Sequence, residues 1–276
     1  MRFLRGRRPR AVVLAYHRVA EAVDDPYGQA VRPETFARHL EILGRHHAIA
    51  PLGELVSDMP EGRYRDGTVA ITFDDGYADT LFEALPIAAH LPVTVFVTVE
   101  PVLEAGRFWW DEIAGLEPAA RNELHARLKG LSGNERREVL ATVEADGSDR
   151  GRPMTVDELL DLASHPGVEI GAHTLSHPSL ARLPAAEQER ELAGCRTRLE
   201  ELVHRPVSLL AYPFGKPDDV SEETQRLACD AGYRAAFTTV PLCLVPSSPL
   251  FCLPRLTVHE WPAETLGKRL QELFSL

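Results

Sequence analysis

The chain has 276 residues, of which 44% are hydrophobic and 26% charged, the balance of a globular protein and not of a disordered or fibrous one. Its formal charge of −11 argues against a nucleic-acid groove or an anionic membrane as the main partner surface, because both call for a basic stripe. No apolar run reaches the roughly 18 residues needed to span a bilayer.

Taken in chain order, Arg2, Arg5, Arg7, Arg8 and Arg10 mark residues 1–10 as a loose basic arm. AVVLAY (11–16) predicts a first strand. It is too short for a signal-peptide core before His17 and Arg18 interrupt it, so the expected location is cytoplasmic, with peripheral membrane association left open. A helix starting at Pro33 follows, with Phe36, Leu40 and Leu43 at helical spacing. TVAITF (68–73) predicts a second strand, residues 77–90 a helix, and PVTVFVTV (92–99) a third strand with its proline at a tolerated first position. Residues 104–152 are rich in charge and alanine and hold no strand candidate, which predicts a helical insert. Thr155 and Glu158 form a capping box for a helix running to about Ser164. VEIG (168–171), VSLLAY (207–212), YRAAFTTV (233–240) and LPRLTV (253–258) predict the later strands. PAAEQERELAGCRTRLEELV, SEETQRLACDAG and ETLGKRLQELF predict the helices between and after them. Cys195, Cys229, Cys243 and Cys252 show no CxxC spacing and are expected as reduced, buried thiols. Seven or so strand–helix units over residues 11–276 predict an α/β fold with a mostly parallel sheet, a barrel with a doubly wound open sheet as the alternative.

In such folds the chemistry collects at the carboxyl ends of strands. Those positions carry His17, the pair Asp74–Asp75, the pair His173 and His177, Tyr212 through Gly215, and His259. Two adjacent aspartates at a strand end can divide their work, one ligating a metal and the other handling a proton. By itself, Asp-Asp-Gly is also an ordinary turn sequence. Two histidines four apart suit a borderline divalent ion, and with one carboxylate they leave coordination positions open, as a catalytic metal requires. The remaining histidines (His39, His46, His47, His90, His125, His165, His204) are expected at the surface. Phe108-Trp109-Trp110-Asp111 suits either a sugar face or the burial of the insert against the barrel.

Thr72-Phe73-Asp74-Asp75-Gly76, His173-Thr174-Leu175-Ser176-His177-Pro178 and Tyr212-Pro213-Phe214-Gly215, in that order, resemble the motifs of the polysaccharide deacetylase family, the NodB-like carbohydrate esterases of family 4. The resemblance implies a distorted (β/α)7 barrel and a metal-dependent hydrolase that removes N- or O-acetyl groups from a glycan or glycan precursor. It implies Asp74 as general base and Asp75, His173 and His177 as ligands of a divalent ion, Zn²⁺ foremost. It further implies the Phe214 N–H in an oxyanion hole, Tyr212 and His17 near the substrate, and His259 as general acid. Ala211 departs from the pattern, since many members have there an arginine that holds the catalytic aspartate. The expected partner is an acylated amino sugar, an oligosaccharide or a lipid-linked glycan, and not a nucleic acid. A deformylase or non-sugar amidase of the same fold, or a non-catalytic sugar-binding barrel, are the alternatives.

Overall fold

The computed structural model describes residues 9–21, 25–143 and 151–275. Residues 1–8 of the expected arm and 144–150 of the expected insert lie outside the described residues.

β1 (Ala11–Tyr16) is buried along its whole length, as a strand covered on both faces must be. The short β2 (Arg18–Val19) and β3 (Ala30–Val31) pair with each other, apart from the main sheet. α1 (Pro33–His46) opens on its proline and turns Phe36, His39, Leu40 and Leu43 inward. β4 (Ala48–Ile49), α2 (Leu52–Asp58) and β5 (Thr68–Phe73) follow. A π-helical turn over Thr80–Ala84 then leads into α3 (Leu85–Ala88), where Pro86 has no N–H to continue a regular ladder. β6 (Val93–Val97) precedes four helices: α4 (Val99–Leu103), α5 (Trp109–Glu112), α6 (Pro118–Leu128) and α7 (Gly133–Leu140). α8 (Val156–Ser164) carries the expected capping box of Thr155 and Glu158. The chain closes with β7 (Val168–Ala172), α9 (Ala185–Val203), β8 (Leu209–Ala211), α10 (Glu222–Asp230), β9 (Ala235–Phe237), β10 (Leu256–Thr257) and α11 (Ala263–Ser275).

The main sheet runs β10-β1-β5-β6-β7-β8-β9 with every pair parallel, and β4 adds to β5. Phe237 of β9 also bridges Leu253 in parallel, so the run from Leu253 to Thr257 touches both edges and the sheet curls into a barrel. The last strands are shorter than their apolar runs suggest, β8 covering Leu209–Ala211 and β9 Ala235–Phe237. Past Phe237, the Thr238 N–H donates to Leu253 O at 2.8 Å and the Thr239 N–H to Gly215 O at 2.9 Å.

Alternation along the strands divides the core in two. Ala11, Val13, Ala70, Phe96, Leu209, Ala211, Ala235 and Phe237 fill the barrel interior. Val12, Leu14, Ile71, Phe73 and Val95 pack outward beneath the helices. A Cβ at Gly171 would collide with the Phe96 ring, so glycine there lets that ring occupy the interior. His39 corrects an expectation: it is fully buried, with its ring nitrogens on Tyr16 OH at 3.2 Å and Trp261 O at 2.8 Å. It lies three residues after Phe36 and four before Leu43, on the inward stripe of α1. All four cysteines are free; Cys195 is buried, but Cys229 is exposed.

Candidate metal centre

The turn after β5 sets the site. The Asp74 N–H donates to Tyr16 O at 2.9 Å, continuing the β1–β5 ladder by one step. Asp75 then enters the left-handed region with φ 74°, followed by Gly76 at 94°. A Cβ at Gly76 would stand 3.2 Å from the Val97 side chain, so the turn requires glycine for both space and conformation. The turn and the chemistry therefore use the same residues.

From β7, the His173 N–H donates to Val97 O at 2.9 Å, which brings the histidine loop beside the aspartate turn. His173 Nε2 and His177 Nε2 each lie 3.4 Å from Asp75 Oδ1, and the three side chains are buried. Burial, helped by the neighbouring His173 and Arg136, holds His177 well below the usual imidazole range, so its ring is neutral and free to act as a ligand. Asp75 is 1% exposed, and neither of its carboxylate oxygens has a hydrogen-bond partner. A buried carboxylate left bare is costly, whereas a cation among these three groups would satisfy it. The donor set fits a divalent metal ion.

Asp74, the other carboxylate, is held quite differently. Arg255, fully buried, places Nη1 and Nη2 at 2.7 Å from Oδ1 and Oδ2 in a fork-on-fork pair. The guanidinium is fixed in turn by Thr72 Oγ1 at 3.2 Å and Thr238 O at 3.1 Å, and it lies 5.3 Å from the Phe96 ring centre. Burial alone would raise the Asp74 pKa, but Arg255 outweighs it and brings the carboxyl down to about 2. Ala211 shares the interior cluster with Phe96, so the arginine absent from β8 is replaced by one entering from just before β10.

The other expected residues divide. His17 is half-buried, and its Nδ1 has no hydrogen-bond partner among the described residues. Phe214 has φ 62°, its ring centre lies 4.9 Å from that of His177, and its N–H donates to no group among the described residues. Tyr212 is placed elsewhere: it belongs to the outer core, and its hydroxyl donates to Phe251 O at 3.0 Å. His259 has its Nδ1 2.7 Å from Gly28 O and its ring against Trp261, and among the described residues no hydrogen bond, ion pair or ring contact joins it to Asp75, His173 or His177.

The helices after β6 form the wall of the site. Phe108, Trp109, Trp110 and Asp111 are all buried, which decides their role in favour of packing and against an open sugar platform. Trp110 lies against the His177 ring, and the Trp109 Nε1–H donates to His177 O at 3.4 Å. Arg136 on α7 donates to Ser176 O and covers Trp109, while Glu191 accepts from the Ser176 N–H and hydroxyl. His125, expected at the surface, instead packs against Trp109 and Phe214, and burial with nearby Lys129 and Arg121 lowers it to about 4.

A family model described as polysaccharide deacetylase matches residues 61–236. The Bacillus subtilis (strain 168) protein YxkH, which carries the polysaccharide deacetylase name, is 22% identical over 252 residues, 89% of this chain and 70% of its own length. Among solved structures, the Streptococcus pyogenes deacetylase PplD in complex with acetate superposes with a TM-score of 0.70 at 18% identity, covering 96% of this chain and 99% of that one. The polysaccharide deacetylase BC0361 from Bacillus cereus gives 0.68 at 18% identity, over 95% of this chain and 69% of its own. IcaB from Ammonifex degensii gives 0.65 at 17%, over 95% and 97%. At such identities the superpositions show a shared fold.

Proposed function

The chain belongs to the polysaccharide deacetylase family, hydrolases of amide bonds, and from that premise we propose that it removes acetyl groups from an acylated amino sugar, in an oligosaccharide or lipid-linked glycan. Asp75, His173 and His177 would hold one divalent ion, Zn²⁺ being the best match to one carboxylate and two imidazoles. The observation that carries the reading is the bare, buried Asp75 carboxylate facing two imidazole nitrogens, next to an aspartate clamped by arginine.

When bound, the ion would polarise the acyl carbonyl and acidify water, each worth several kcal/mol of barrier. The remaining roles fall to the chain. Asp74, kept ionised and oriented by Arg255, accepts the proton of the attacking water. The unpaired Phe214 N–H donates to the developing oxyanion. An acid must then protonate the leaving amine. Of the two histidines expected near the mouth, His17 suits this role better, because its buried Nδ1 has no hydrogen-bond partner among the described residues while His259 is engaged with Gly28 O. Among the described residues no helix is long and apolar enough to cross a membrane.

The test is to incubate the Zn²⁺-loaded protein with N-acetylated, O-acetylated and N-formylated amino-sugar oligomers and lipid-linked glycans, and to identify the acid released. Acetate release that stops with a chelator and returns with Zn²⁺ is the expected result. Formate alone, or no acid from any substrate, would overturn the assignment.

A further inference from the structure

The two histidines of the cluster are fixed by different means. His173 donates Nδ1–H to Ala211 O at 2.8 Å, a backbone anchor on β8 that leaves Nε2 for Asp75. That is the usual arrangement of a ligating imidazole, whose second nitrogen is tied to a carbonyl or carboxylate. His177 lacks it: Nδ1 is buried and has no hydrogen-bond partner among the described residues. Its backbone also sits at φ 62°, a conformation that contributes no stability of its own.

Packing orients the His177 ring instead. Trp110 lies 4.4 Å from it, and Phe214 and His173 each 4.9 Å, centre to centre. Trp110 is itself secured on several sides. Its Nε1–H donates to Tyr77 OH at 2.7 Å, and the Tyr77 hydroxyl donates onward to Asp111 Oδ2 at 2.7 Å. Phe108 stacks on Trp110 with ring centres 4.7 Å apart and planes 11° from parallel. Tyr77 comes from the aspartate turn and Asp111 from α5, so this chain of hydrogen bonds staples the helical segment to the strand that supplies Asp75.

We infer that Trp110, locked by the Tyr77–Asp111 pair, is the positioning residue for His177, and that α5 thereby completes the metal centre. The inference rests on the ligand assignment proposed above. It makes His177 the ligand whose orientation depends on a side chain outside the barrel strands, with His173 independent of it. Changes to groups that orient a ligand typically weaken metal binding by about 10–100-fold.

The experiment measures Zn²⁺ affinity by competition with a chromophoric chelator, together with the Co²⁺ absorption spectrum. It uses the wild type, Trp110→Leu, Trp110→Phe, Tyr77→Phe and Arg137→Ala, each checked for folding by near-ultraviolet circular dichroism. Trp110→Leu is expected to lose about 10–100-fold in affinity and to alter the Co²⁺ spectrum. Trp110→Phe should recover part of that loss, and Tyr77→Phe should lose less in the same direction. Arg137→Ala, an exposed site on α7, should bind as the wild type does. Wild-type affinity and spectrum in a folded Trp110→Leu protein would overturn the inference. If that variant does not fold, the same result in Tyr77→Phe would do so. An equal loss in Arg137→Ala would also overturn it, by showing general loosening. A wild-type chain that binds no Zn²⁺ would instead defeat the ligand assignment itself.

Discussion

The floor and the wall of the site hold their functional groups by different physics. On the floor, at the ends of β5, β7 and β8, Asp74 is tied to a buried arginine and His173 to a backbone carbonyl. On the wall, from α5 to α7, Trp110 and Trp109 fix His177 by aromatic contact and a grip on its carbonyl. Directional bonds set the base and the ring of the first ligand; close packing sets the ring of the second. The difference teaches that one site can borrow rigidity from two layers, and that each layer should fail in its own way.

The largest effects are expected on the floor. His173→Ala should lose both the ion and the activity, whereas Asp74→Asn should keep the ion and lose about 10²–10⁴-fold in rate. Bound metal by emission spectroscopy, measured beside acid release, separates the two. Next comes Arg255→Met, which leaves Asp74 buried and unpaired and should cost about 3–5 kcal/mol in a denaturant titration. Arg255→Lys should recover only part, because a single ammonium cannot reproduce the two-pronged pairing. A smaller contrast divides the acid candidates: His17→Asn should lower kcat more than His259→Asn, and the reverse order would return the role to His259.

The smallest effect is a pH dependence of stability in the metal-free protein. Asp74, brought down to about 2, contributes stability that is present above pH 4 and is lost as the pH falls through about 2. Asp111 runs the other way. Burial pushes it up to about 7, so the folded state holds its proton more tightly, and stability declines as the pH rises from about 4 to about 7. Asp111→Asn should flatten that second window and leave the first unchanged, as thermal melts across the range would show.

Much of this was legible from residue order alone, for identifiable reasons. Strands buried on both faces appear as unbroken apolar runs, which is why AVVLAY and TVAITF stand out and why the residues just beyond them point to the site. Arg255 was not found, because its partner lies 181 residues away and no local periodicity links them. A signal was present all the same: an arginine inside the apolar run LPRLTV needs a buried anion to be tolerated. His39 was missed for a related reason, since its place on the inward stripe of α1 outweighs the polarity of its ring. The wall was legible only as helical. That Tyr77, two residues after Asp75, would be bonded to Asp111 depends on how the segment folds back, which spacing does not encode.

The central claim is that Asp75, His173 and His177 together bind one cation. Anomalous diffraction at the zinc edge, from crystals grown with Zn²⁺, tests it directly. A single strong peak at about 2.0–2.2 Å from one Asp75 oxygen and from Nε2 of each histidine is the predicted result. A fully occupied peak elsewhere in the chain, with these three side chains left bare, would contradict it.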